Sequence, residues 1–232
     1  MNVVIHVADG AVFRELDYAD RIEASLTAAG LDVVRRDLTV WPPEPIPRAR
    51  AHVFTGGETP VGSEAPWMAE AIRAVRDLVR TADAEGHMVI GVCLGSQIVA
   101  EALREGSIVE SSSIEVGLVE VVQPHDGQAR QVVPTFHYHS ISPDLATVPG
   151  VRIEWGNEQT PVQAFSFGEN VFCCQYHPEL SADDVHQLID QHAALISDLN
   201  CSPEKAHETV KKYSAELSDD LFRNTVVDRI LA

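Results

Sequence analysis

One cysteine in the chain is framed by glycines, in the segment Gly91-Val92-Cys93-Leu94-Gly95. G-x-nucleophile-x-G is the pattern of a tight strand-to-helix turn. It needs glycine because neighbouring backbones approach closely, and it holds the central side chain out at the end of the strand. A thiol placed there also sits at a helix N-terminus, where the helix dipole favours thiolate. A thiolate nucleophile wants a base, and the base wants a group to orient it. His177-Pro178-Glu179 offers both. The rigid proline keeps imidazole and carboxylate near one another, so that the carboxylate can hold one ring nitrogen while the other faces the thiol. Alone, such a triplet is usually a surface turn, and a lone cysteine is usually buried and inert. Together, Cys93, His177 and Glu179 specify a cysteine–histidine–glutamate hydrolytic site.

Such a site needs two strands that end at the same edge of a sheet. Met88–Cys93 is almost wholly apolar, as a strand covered on both faces must be, and Val171–Tyr176 before His177 has the same character. Upstream, Val3–Val7 reads as a strand, residues 17–29 as a helix closed by Gly30, and Asp32–Arg36 as the next strand. The prolines of residues 41–47 require a loop, Ala51–Thr55 a short strand, and apolar positions 68, 72, 75 and 79 a helix over residues 64–85. With a helix over residues 96–104, strands and helices alternate. Right-handed crossovers then give a parallel, doubly wound sheet. Beyond it, residues 114–122, 131–136, 151–155, 161–167 and 171–176 read as strands separated only by turns, an antiparallel or mixed extension of that sheet. Ser181 caps a helix with apolar positions 185, 188, 192, 195 and 199, and Ser202-Pro203 opens one or two more. We therefore expect one α/β domain over residues 1–200, with residues 201–232 as a helical extension packed on it.

Composition narrows the setting. At 232 residues the chain suits a single α/β core. A formal charge of −18 spread along it repels phosphate backbones and anionic lipid, so neither nucleic acid nor a membrane is expected as partner. The four cysteines, at 93, 173, 174 and 201, form no CxxC pair, which fits neither a disulfide framework nor a zinc knuckle. With no basic leader and no spanning apolar run, the expectation is a cytoplasmic, reducing location. His137 and His139 alternate on one strand, but no third metal ligand is assignable, so both read as satisfied polar side chains. Neither a P-loop nor a dinucleotide fingerprint is present, and no cofactor is expected.

Gly91–Gln97 and Gln175-Tyr176-His177-Pro178-Glu179 together resemble the class I glutamine amidotransferases, in particular the glutaminase domain of GMP synthase and its stand-alone relatives. The resemblance rests on motifs between residues 50 and 180. It implies a three-layer, flavodoxin-like mixed sheet with parallel N-terminal strands. It also implies attack by Cys93 on the side-chain amide of glutamine, a cysteinyl thioester, and ammonia passed to a separate synthetase or ligase. Thr55-Gly56-Gly57-Glu58 resembles the family's oxyanion loop, which implies that the Gly57 and Leu94 amides hold the oxyanion. Gly56, Gln97 and His139-Ser140-Ile141 resemble positions that bind the substrate, and Glu115-Val116-Gly117 resembles a short structural element. Two positions depart from the pattern: Ser96 stands where histidine or methionine is usual, and Glu58 where proline is. They motivate a second reading, a γ-glutamyl amide hydrolase or peptidase, to which Ser96 would give a wider pocket. A third is a non-catalytic regulatory or scaffold relative, against which the intact triad argues. A thiol-dependent α/β-hydrolase would carry its acid before its histidine, whereas Glu179 follows His177.

Overall fold

The computed structural model describes residues 2–8, 17–40, 46–125 and 127–232. Most of the proline-rich loop, residues 41–45, lies outside them. Nine strands and the helices between them form three layers among these residues. The central sheet has the order β2-β1-β3-β4-β9-β8-β7, with β1 Asn2–Val7, β2 Asp32–Asp37, β3 Ala51–Phe54, β4 Met88–Val92, β7 Val151–Trp155, β8 Ala164–Phe167 and β9 Val171–Cys174. The first five in that order run parallel, and β8 and β7 add an antiparallel edge. This is the mixed α/β sheet that the sequence predicts.

Strand alternation decides what covers each face. Val89 of β4 points into a core with Phe54, Val75, Val79 and Ile98, supplied by α2 (Pro66–Glu85) and α3 (Leu94–Leu103). Its neighbour Ile90 points the other way, with Val3, Ile5 and Val53, onto Ile22 and Leu26 of α1 (Tyr18–Ala28). The central strands β3 and β9 are buried along their whole length, whereas β2 at the edge is mostly exposed. Near-continuous apolar runs in the sequence correspond to these twice-covered strands.

Two strands depart from expectation. β5 (Ile108–Val122) and β6 (Arg130–Ile141) do not extend the central sheet; they pair only with each other, as a long antiparallel ribbon. A register shift between Glu110 and Glu115 interrupts it, and one isolated bridge, Val122 to Gly156, ties it to the rest. The physical reason lies in its apolar face. Ile114, Val116, Leu118, Val132 and Phe136 are satisfied by helices, packing on Val185, Leu188 and Ile189 of α4 (Ala182–Gln191) and on Ala206 and Val210 of α6 (Pro203–Tyr213). The expected single helix after Ser181 is split at His192, where α4 ends and α5 (Ala193–Asp198) begins.

The last thirty residues are built into the body. Phe222, Val226, Val227 and Ile230, from a π-turn and the short α7 (Asp228–Leu231), fill the same face of the sheet as α1. The Arg229 guanidinium lies 3.8 Å over the ring of Phe172. On the ribbon, Gly117 has φ +117°, and a Cβ there would come 2.1 Å from Thr209 Oγ1 of α6. That hydroxyl accepts from the Leu118 amide at 3.2 Å. Glycine is needed at 117 both for its backbone angle and for the approach of α6. Gly117→Ala is therefore expected to cost about 2 kcal/mol or more, read as a lowered urea midpoint. An unchanged midpoint would mean that α6 is not seated on the ribbon as described.

Candidate active site

Parallel pairing of β4 with β9 puts Val92 level with Cys174, and the Cys93 amide donates to the Cys174 carbonyl at 2.8 Å. Both strands thus end together, at the carboxyl edge where α/β sheets bind ligands. Cys93 stands at the turn between β4 and α3 with φ 49° and ψ −109°, a backbone geometry that costs a non-glycine residue about 1–3 kcal/mol. The flanking glycines are steric requirements. A Cβ at Gly95 would lie 2.3 Å from the Phe54 carbonyl oxygen, and one at Gly91 would meet the Gly95 backbone at 2.7 Å.

His177 and Glu179 follow β9. His177 Nδ1 lies 2.7 Å from Glu179 Oε1, and both side chains are buried. Burial alone would depress the imidazole, but the Glu179 carboxylate and the nearby Cys93 sulfur outweigh it and push His177 up to about 10. Nε2 of His177 and Oε2 of Glu179 are buried with no straight hydrogen-bond partner among the described residues. The Cys93 thiol makes one long contact, 3.9 Å, to the Phe136 carbonyl oxygen. The three side chains expected to act together are therefore brought to one place, and such bonds commonly tighten only when substrate binds.

Around them lies a cavity of about 430 Å³, counting its open mouth. Cys93, Leu94, Gln97 and His177 line it from the elbow side, and Gly57, Glu58, Thr59 and Pro60 from the loop after β3. The ribbon contributes Phe136, His137, Tyr138 and His139, and α1 contributes Tyr18. The expected residues Gly57, Leu94, Gln97 and His139 thus share the wall. Leu94 opens α3, so its amide has no acceptor within the helix. Gln97 Nε2 and Gln175 Nε2 both donate to the His139 carbonyl, at 3.2 and 3.3 Å. Burial lowers the His139 imidazole below its ordinary value, against the opposing pull of Glu110. Gly56 lies behind His177: a Cβ there would be 2.8 Å from His177 Cε1. Ser140 and Ile141 do not reach the wall. The Ser140 hydroxyl pairs with that of Ser111 at 2.6 Å, and Ile141 is buried in the core beneath α2 and α3.

Ser96 also differs from expectation. It is fully buried, outside the cavity wall, and its hydroxyl donates to the Cys93 carbonyl at 2.6 Å. Its hydroxyl therefore ties into the elbow, and its side chain forms no part of the cavity wall. Tyr18 was not legible as a site residue. The one hint was position: it follows the first strand, on the edge where ligands bind.

Glu115, from the Glu-Val-Gly element, is a buried hub. Asn157 Nδ2 donates to it at 2.8 Å and the Thr160 hydroxyl at 3.2 Å, and Gln163 donates at shorter range. His137 Nε2 lies 3.1 Å from it, off the line of a straight hydrogen bond. Burial raises the Glu115 carboxyl, but His137 and these donors outweigh it and leave it below the ordinary carboxylate range. No three histidine, cysteine or acidic side chains among the described residues converge as metal donors. No helix among them is long and apolar enough to cross a membrane.

The structure is an α/β fold with a cavity at the carboxyl ends of parallel strands, beside a cysteine held at a strained turn. The family model for glutamine amidotransferase class-I matches residues 26–193, and the chain belongs to that family. Among curated relatives, a glutamine amidotransferase-like protein of Salmonella typhimurium is 31% identical over 150 residues, 61% of this chain and 60% of its own length. The glutamine-hydrolysing GMP synthase of Parafrankia sp. is 28% identical over 127 residues, 52% of this chain but 23% of that protein. The chain thus matches less than two thirds of either relative's length. A glutamine amidotransferase of Thermotoga maritima superposes with a TM-score of 0.75 over 99% of both chains, at 17% identity, a likeness of fold.

The depressed Glu115 carboxyl makes a prediction about pH. Its folded-state value lies below its unfolded one, so its contribution is complete above about pH 4.3 and is lost as pH falls through the folded value. Glu115→Gln is expected to cost about 1–3 kcal/mol at pH 7, with the gap to wild type narrowing below about pH 4. Urea midpoints measured from pH 3 to 7 on both proteins check this. A gap independent of pH would show that the charge of Glu115 is immaterial to stability.

Proposed function

We propose that Cys93, His177 and Glu179 form a catalytic triad that hydrolyses the side-chain amide of glutamine and supplies ammonia to a separate synthetase or ligase. The observation that carries this reading is the buried 2.7 Å His177–Glu179 pair beside a cysteine at a strained elbow, in a chain of the class I glutamine amidotransferase family. The elevated affinity of His177 for a proton favours a thiolate–imidazolium pair. The thiolate attacks the amide carbon, and the carbonyl oxygen becomes an oxyanion between the amides of Gly57 and Leu94. These donors are fixed before the charge develops. His177 gives its proton to the departing nitrogen, so ammonia leaves and a cysteinyl thioester remains. Water, losing a proton to His177, then attacks the thioester and releases glutamate and the Cys93 thiol. Glu179 holds the ring in position and offsets its positive charge.

In this reading Gln97 and His139, with the loop at Gly56, bind the amino-acid end of the substrate, which the presence of Gln97 and His139 in the cavity wall supports, and Glu58 in that wall would attract its ammonium group. Four free cysteines fit a cytoplasmic setting. The γ-glutamyl conjugate reading loses its motive at Ser96, because that residue lies outside the wall.

Ammonia release from L-glutamine, measured by a coupled dehydrogenase assay, tests the proposal. Cys93→Ala is expected to abolish release while retaining the fold by circular dichroism, and undiminished release would overturn the triad. Glu179→Gln is expected to lower kcat by roughly two to four decades, as loss of an orienting carboxylate does elsewhere. An unchanged rate would assign the orienting role to another acid.

A further inference from the structure

We propose that Tyr18 is a positioning residue for His177, holding the plane of the imidazole by stacking on it. The inference rests on the reading of His177 as the partner of Cys93. The two rings are 4.6 Å apart between centroids and inclined by 20°, an offset-stacked geometry. Tyr18 is 6% exposed and lines the same cavity as Cys93 and His177. At the Cε1 edge of the imidazole, the Gly56 backbone leaves room for hydrogen only, since a Cβ there would meet His177 Cε1 at 2.8 Å and the Tyr18 ring at 3.5 Å. His177 is thus held by Glu179 at one edge, by the glycine backbone, and by an aromatic face. An electron-rich face also favours the ring in its cationic form.

What makes the contact a device is how Tyr18 is itself fixed. It is the first residue of α1, and the Asp17 side chain caps that helix by accepting from the Ala19 amide at 2.8 Å. One turn on, Arg21 pairs with Asp184 at 2.5 Å. Asp184 is buried and closes the capping box of α4 with Ser181, two residues after Glu179. The chain from His177 through Glu179 and Ser181 to Asp184, across to Arg21 and back through Tyr18, is a closed circuit of contacts. Helix α1 and the segment carrying His177 therefore cannot move apart without breaking the stack or the ion pair.

Alkylation of Cys93 by iodoacetamide reads the thiolate–imidazolium pair without any substrate. The groups in contact with His177 are Cys93 at α3, Glu179 on its own segment and Tyr18 on α1, and the same cavity wall holds Glu58 from the loop after β3 and His137 and His139 on the ribbon. All but Tyr18 are kept in the test. For Tyr18→Leu, the pH midpoint of Cys93 alkylation should rise by about half a unit or more, as loss of a cation-stabilising aromatic face implies. Glutaminase kcat should fall about tenfold or more, with KM changed far less. Tyr18→Phe, which keeps the ring, should restore both. If Tyr18→Leu does not fold, Tyr18→Met serves, since its flexible side chain refills the space without a ring. A non-aromatic variant that folds and keeps the wild-type alkylation profile overturns the proposal, as does a Tyr18→Phe variant as impaired as the non-aromatic one. A wild type that does not hydrolyse glutamine, but whose alkylation profile still moves with Tyr18, would refute the proposed substrate and leave the positioning role standing.

Discussion

The parallel register between β4 and β9 is the constraint on which the site depends. Val92 is level with Cys174, and the hydrogen bond from the Cys93 amide to the Cys174 carbonyl extends that pairing one residue beyond the strand. Parallel neighbours run the same way, so the chain leaves both strands at one edge. One exit turns at once into α3 and presents the thiol; the other runs two residues further and presents the imidazole. Antiparallel neighbours would put their exits at opposite ends. The twice-covered core therefore does more than stabilise: by burying β3 and β9 throughout and β4 from Val89 onward, it fixes the register that brings Cys93 to His177. A slip of one residue would send each side chain to the opposite face.

Two buried imidazole–carboxylate pairs lie near the cavity, and their surroundings differ in a telling way. Glu115 accepts from Asn157, Thr160 and Gln163, so its oxygens are committed to the fold, although both ring nitrogens of the adjacent His137 lack straight partners. Glu179 bonds His177 through one oxygen, and its other oxygen and His177 Nε2 are left without straight partners. Buried polar atoms are seldom left so, because each costs about 1–3 kcal/mol. The first pair locks the ribbon to the loop before β8. The second leaves a carboxylate oxygen as well as an imidazole nitrogen without a straight partner. Buried ion pairs add little net stability but impose geometry, and here geometry is what both supply.

The elbow was legible in the sequence because its requirement is local. Gly91 and Gly95 are forced by atoms a few residues away or on the adjacent strand, and the spacing announces the turn. His177 and Glu179 were legible because one proline fixes their relation. The ribbon was not, because alternation identifies a strand and the face it buries but not its pairing partner. The apolar face of β5 and β6 would read the same against a sheet edge or against α4 and α6. Tyr18 escaped for a related reason: the ring it stacks on lies far along the sequence, and its position on an apolar helix face looks like ordinary core. Ser96 misled because a family pattern records which residue is usual, not where its side chain points. In this chain it points back to the Cys93 carbonyl.

The four cysteines show how little of the chemistry belongs to the residue type. Cys173 and Cys174 sit beside the site on β9, completely buried, and burial pushes both thiols well up, Glu179 adding to the effect at Cys174. Cys201 is raised by partial burial as well. Each of these is held as a neutral thiol, a small apolar side chain in effect. Cys93 shares the hydrophobic surroundings of Cys174, yet it alone has a helix N-terminus, an adjoining imidazole that favours its proton, and a cavity in front of it. On the proposed reading the reactivity of Cys93 would follow from that combination, not from exposure, since Cys93 is itself only 6% exposed. The strained turn therefore does something a relaxed helix or strand position would not: it turns one thiol out of line with its buried neighbours and sets it beside His177 at the cavity.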